Sequence, residues 1–400
     1  MKRFAYASIA LALGLADQMS PAAAVPVETV LYSFCGQTGC ADGSNPIGGL
    51  TAGAGGNIYG VTANGGVSQG AGGVVFKLLP DGSEATVYAF GSDPNKIDGI
   101  QPMAGVLELN GLLYGTTLTG GEYTNEALPG GGILFSLDPS TGVENILHSF
   151  GNVGDGFGSQ TAMVNVKGVL YGALNWQSYT GTIFAFDLSG QKEKLVYTFC
   201  GQTDCVDGKY PSAGIVAVKG TLYGTTLEGG TGYGVAFGIN PSSGTEKVLH
   251  SFSKNDIGGC GPDTTLLNRG NVLYGITTAC GKRGYGAVFS LNRSTNAESV
   301  VSSFKSFPTN NQTIFLPGLI RVGKKFYGAT VGNGTTDRGE VYSVDPDTGK
   351  MAAIYKFCSQ TNCADGAAPS AKLLAINGAL YGETIAGGAH GQGTVFRLTL

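Results

Sequence analysis

Leu113-Tyr114-Gly115-Thr116-Thr117 returns as Leu222-Tyr223-Gly224-Thr225-Thr226 and, with one change each, as Leu273-Tyr274-Gly275-Ile276-Thr277 and Leu380-Tyr381-Gly382-Glu383-Thr384. The tyrosine of this motif stands at Tyr59, Tyr114, Tyr171, Tyr223, Tyr274, Tyr327 and Tyr381, at successive spacings of 55, 57, 52, 51, 53 and 54 residues. A near-constant period of this length marks a repeat architecture. Two further markers keep the same beat. A segment ending in Phe closes each period at Phe34, Phe90, Phe150, Phe199, Phe252, Phe304 and Phe357. A Gly-x-Val-Phe-like segment centres on Phe76, Phe135, Phe184, Phe237, Phe289, Tyr342 and Phe396.

The intervals between markers are short, rich in β-branched and aromatic residues, and bounded by Gly, Pro, Asn or Asp, which is strand chemistry. The second repeat predicts strands near residues 104–109, 112–117, 132–137 and 143–150. Four strands in about 50 residues is the signature of a β-propeller blade. The chain after residue 24 opens on a lone outer strand, Glu28–Phe34, and stops after a third strand, Thr394–Leu400. The expected fold is therefore an all-β, seven-bladed propeller over residues 25–400, closed by the first strand pairing into the last blade. Closure of that kind removes a free sheet edge. The 68 glycines among 400 residues follow no Gly-X-Y period, so they punctuate turns. Only 13% of residues are charged, in keeping with strands covered on both faces. The net charge of -4 without a basic tract argues against nucleic acid as a partner.

Met1-Lys2-Arg3, the apolar stretch Phe4–Ala16 and the small residues Ala22-Ala23-Ala24 read together as a signal peptide over residues 1–24. No later stretch reaches 18 consecutive apolar residues, so no membrane insertion is expected. Six of the eight cysteines form three copies of Cys-x4-Cys: Cys35/Cys40, Cys200/Cys205 and Cys358/Cys363. Cys260 and Cys280 remain. In an exported chain these predict four disulfides, Cys260–Cys280 being the fourth. A zinc site is the rival reading, and the lack of a nearby His weighs against it. A secreted or periplasmic monomer without metal or cofactor is expected.

An Asp-Gly follows the strand-ending Phe by eight residues at Asp42, Asp98, Asp207 and Asp365, and a Pro comes four later at Pro46, Pro102, Pro211 and Pro369. Gly-Gly follows the motif tyrosine by six residues in the same four repeats. A ring of aspartates could hold calcium. The fifth repeat favours another reading, because Cys260 and Cys280 stand at the Asp and Gly-Gly positions. A bond between them would put each Asp beside its own Gly-Gly loop, where it could accept backbone N–H groups as a structural clamp. The sixth repeat has Gln312 and Asn333 there.

Leu113–Thr117, Gly132–Pro139, Leu222–Gly230 and Gly339–Pro346 together resemble the GloVer-type tandem repeat of secreted bacterial proteins, some of which carry sorting anchors. The resemblance implies secretion and a propeller-like fold. It brings no established activity and no catalytic residues. No C-terminal anchor is expected, because the chain stops at Thr399-Leu400 inside a strand.

Function is sought where repeats disagree. The third lacks both Asp and Gly-Gly and carries Asn175-Trp176-Gln177-Ser178-Tyr179, with the only tryptophan. Aromatic rings with amides between them suit stacking on a sugar and bonding its hydroxyls. Tyr123 in the second repeat and Arg283 and Tyr285 in the fifth complete the candidate ligand-binding set. No nucleophile, zinc or phosphate-loop motif is present. Paired carboxylates could still serve a hydrolase or lyase, and Glu122, Glu126, Asp155 and Glu383 are the weak catalytic candidates. His148 and His250 replace the Tyr of the closing strand and read as structural; His390 lies in a glycine-rich loop. The favoured reading is a secreted binding propeller that recognises an extracellular glycan. A carboxylate-dependent polysaccharide hydrolase or lyase and a protein-binding envelope component are the alternatives.

Overall fold

The computed structural model describes residues 26–66, 72–123, 130–152, 155–175, 180–305, 318–332 and 337–400. The expected signal peptide, Trp176, Gln177, Tyr179, Glu126, Gln312 and Asn333 lie outside these residues. Within each blade adjacent strands pair antiparallel, giving seven blades of four strands in a ring. Blade two consists of Leu107–Leu109, Leu112–Thr116, Ile133–Leu137 and Glu144–Ser149. Its first strand is shorter than expected, because Gly105 leaves the ladder to donate its N–H to the Gly48 carbonyl of blade one at 3.1 Å. In blades five and seven the first strand is broken in two, as Cys260–Pro262 with Leu267–Arg269 and Ala367–Pro369 with Leu374–Ile376. The N-terminal strand Val27–Ser33 pairs antiparallel with Thr394–Thr399, from Val27 opposite Thr399 to Ser33 opposite Thr394. It thus supplies the fourth strand of blade seven and closes the ring.

The core lies between blades. The strand-ending Phe of one blade meets the third-strand aromatic of the next at all seven seams: Phe34–Phe76, Phe90–Phe135, Phe150–Phe184, Phe199–Phe237, Phe252–Phe289, Phe304–Tyr342 and Phe357–Phe396. Ring centroids are 5.0 Å apart in the first and 5.5 Å in the sixth, with tilted or edge-on planes. Such pairs add roughly 0.5–1.5 kcal/mol beyond the area they bury. The two aromatic markers of the repeat are therefore the two halves of one contact.

The four disulfides are Cys35–Cys40, Cys200–Cys205, Cys260–Cys280 and Cys358–Cys363. Together they mark an extracytoplasmic protein, since such bonds persist in oxidising compartments. Among the described residues no helix is long and apolar enough to cross a membrane.

Candidate functional site

In blade one Ser44 at the start of the first strand faces Asn64 at the end of the second, and Val74 at the start of the third faces Ala89 at the end of the fourth. The loop entering each blade and the loop between its second and third strands therefore emerge on one face. That face carries the Cys-x4-Cys loops, the Asp-Gly turns and the described loop candidates Glu122, Tyr123, Arg283 and Tyr285. Tyr123 is 39% exposed there. Arg283 is exposed as well, whereas Tyr285 is half-buried against the core between blades five and six.

The aspartates of the Asp-Gly turns are buried, Asp42, Asp207 and Asp365 completely. Asp42 Oδ2 accepts the Tyr32 hydroxyl at 2.8 Å and the Gly36 N–H at 2.9 Å, while Oδ1 accepts the Gln37 N–H at 3.2 Å. Asp98 accepts Tyr88 Oη and both the N–H and Oγ of Ser92. Asp207 accepts Tyr197 Oη and the Gly201 N–H, and Asp365 accepts Tyr355 Oη and the Ser359 and Gln360 N–H groups. These donors belong to the loop leading into the Asp and to the preceding outer strand, not to the Gly-Gly loop expected from sequence. The Gly-Gly loop is adjacent but bonds main chain to main chain: Gly66 N–H donates to the Cys40 carbonyl and Gly388 N–H to that of Cys363, at 3.0 and 2.9 Å. Cys35 at φ 65° turns the donors of its loop inward, toward the carboxylate.

Along the ring axis runs a channel of about 470 Å³ lined by the first strands. The residue after the repeated Pro, or its equivalent, forms one level of its wall: Ile47, Met103, Gln160, Ser212, Asp263 and Ser370. Two residues on lie Gly49, Gly105, Ala162, Gly214, Thr265 and Lys372. Small residues at this second level keep the channel open, and Lys372 is its charged member. An added Cβ on Gly105 would meet the Gly48 and Gly49 carbonyl oxygens at 2.6 and 2.7 Å, so glycine is required where blades approach. Among the described residues Lys372 has no salt bridge. Removal from water lowers its ammonium pKa, although its side chain stays reachable from the channel. Asp263 is 6% exposed and accepts a short hydrogen bond from Ser212 Oγ. Burial pushes its carboxyl up to about 6, against the lowering effect of that bond. Ser370 Oγ is buried without a partner among the described residues. This polar set was missed in the sequence, although the repeated Pro was its marker: the residue after it varies from blade to blade.

The carboxylate candidates occupy three environments. Glu383 is buried in the wall between blades seven and one, where Oε2 accepts the Gly49 N–H at 3.0 Å. Burial raises its pKa well above the usual carboxylate range, and Oε1 has no hydrogen-bond partner among the described residues. Glu122 is exposed on the loop face. Asp155 is half-buried beside His148, with Oδ2 3.4 Å from Nε2.

A family model described as the Gloeobacter/Verrucomicrobia repeat matches residues 18–178. No curated protein matches the sequence. The extracellular domain of a one-component system from B. thetaiotaomicron superposes with a TM-score of 0.57 at 13% identity, over 88% of this chain. The chain spans 38% of the length of that structure, and the likeness is one of fold. The structure of a nidogen/laminin complex is matched at a TM-score of 0.43 and 10% identity, over 76% of this chain and 92% of that one.

Proposed function

From the match of residues 18–178 to the Gloeobacter/Verrucomicrobia repeat, we propose that the chain is an extracytoplasmic binding propeller whose ligand is a glycan. The axial channel carries this reading. Its wall mixes apolar Ile47 and Met103 with polar Gln160, Ser212, Asp263 and Ser370 at one level and carries Lys372 at the next. Sugars present apolar ring faces and hydroxyl edges together, so a wall of mixed character with few fixed polar groups suits them. Exposed Tyr123 and Arg283 lie on loops of the face onto which the first strands open, and the loop after Asn175 supplies Trp176, Gln177 and Tyr179 as further candidates.

Retention of a polysaccharide panel on the immobilised mature protein tests the reading, with the mass of each recovered glycan determined. Intact glycan retained by the wild type, and at least about tenfold less by Trp176→Ala or Lys372→Ala, is the expected result. Shortened glycan would replace it with the hydrolase or lyase reading and direct attention to Glu122, Asp155 and Glu383. Neither retention nor cleavage would favour a protein partner.

A further inference from the structure

On the outer side of the seam between blades two and three, three metal-ligating side chains converge from three segments. His148 comes from the strand Glu144–Ser149, Asp155 from the loop that follows, and Glu193 from the strand Lys192–Thr198. One donor atom from each lies within 4.8 Å of the other two. His148 Nε2 and Glu193 Oε1 are both buried without a hydrogen-bond partner among the described residues. Asp155 makes no side-chain hydrogen bond there either; its one approach is the 3.4 Å to His148 Nε2. A charge-assisted N–H···O bond would be about 2.7–2.9 Å long. By contrast, two donors bound at about 2.0–2.1 Å to one tetrahedral ion stand about 3.3–3.4 Å apart.

The same place in other seams shows what is particular here. Tyr32, Tyr88, Tyr197 and Tyr355 stand where His148 does, and each donates its hydroxyl to the local Asp at 2.7–3.3 Å. Blade four has His250, but its Asp256 is already engaged, accepting the Ser253 N–H at 2.7 Å and Oγ at 2.8 Å. Only the seam after blade two, among the described residues, pairs an imidazole nitrogen without a partner with two carboxylates not held by other donors.

We propose that His148, Asp155 and Glu193 form a binding site for one zinc ion, which clips blade two to blade three. Imidazole nitrogen and carboxylate oxygen are a donor set that zinc takes, with water able to complete four-coordination. The ion would balance the two carboxylate charges that the seam now holds against a single imidazole.

The test uses chelator-stripped, full-length mature protein titrated with Zn²⁺ against a chromophoric competitor. One equivalent should bind, and its binding should raise the melting temperature. His148→Tyr installs the residue that four other seams carry, so the apo variant should melt close to wild type yet bind Zn²⁺ at least about tenfold more weakly. Glu193→Gln should weaken binding by a similar factor, and it reports independently if His148→Tyr misfolds. His390→Ala should leave binding unchanged. Absence of stoichiometric binding, or equal binding by His148→Tyr and Glu193→Gln, would overturn the site. A preference for Ca²⁺ over Zn²⁺ would overturn the assignment of the ion.

Discussion

Gly224 in the Leu-Tyr-Gly motif owes its identity to a ring. An added Cβ there would lie 2.5 Å from Cζ of Phe237 on the third strand of the same blade, and Gly382 stands in the same relation to Phe396. Gly224→Ala should therefore destabilise the protein by about 1–3 kcal/mol through overpacking, measured by thermal or denaturant unfolding. Asp98 is the second residue whose chemistry is local. It accepts three hydrogen bonds at the start of its loop, and Asp98→Ala takes the shared acceptor from the Tyr88 hydroxyl and from the N–H and Oγ of Ser92. A cost of about 2–4 kcal/mol is expected, read as a lower melting temperature with unchanged calcium content. Bound calcium that disappears in the variant would instead make this Asp a ligand.

At the scale of elements, blade five replaces the Asp and Gly-Gly pair by a covalent link. Cys260 and Cys280 have Cα atoms 5.3 Å apart, which measures how close those two loops come. The Cys260→Ser/Cys280→Ser double variant should lose about 3 kcal/mol on the chain-entropy account, and reductant should then lower its melting temperature less than it lowers that of the wild type. The closing strand is the other element with a global role. Deleting residues 26–33 would bare the Thr394–Thr399 edge of blade seven, so this variant should associate or fail to fold, as size-exclusion chromatography would show.

Across the whole molecule, the outer strands carry a feature seen only when blades are set side by side. Glu28, Glu84, Glu144 and Glu246 each sit half-buried against the Asp of the neighbouring seam, and each has one buried oxygen without a partner among the described residues. Burial first, with the neighbouring Asp adding to it, pushes each of these carboxyls up to about 7. A carboxyl with a higher pKa in the folded than in the unfolded chain holds its proton more tightly when folded. Its stabilising contribution is complete below the ordinary Glu value and is lost as pH rises through about 7. The melting temperature should thus fall between pH 5.5 and 8.5, on the order of a few degrees. Glu84→Gln, Glu144→Gln and Glu246→Gln combined should flatten that dependence.

The period of the Leu-Tyr-Gly motif determined the blade count, the strand order, the ring closure and, through cysteine spacing, the four disulfides. These follow from local chemistry repeated at fixed intervals, which a sequence displays directly. The donors held by each Asp, the polar residues after the repeated Pro and the Glu–Asp contacts across seams were decided only by tertiary structure. Each depends on which side of a strand faces the axis or the next blade. The seam contacts also join neighbouring repeats: Glu193 comes to His148 across 44 intervening positions only because the blades stand side by side in a ring.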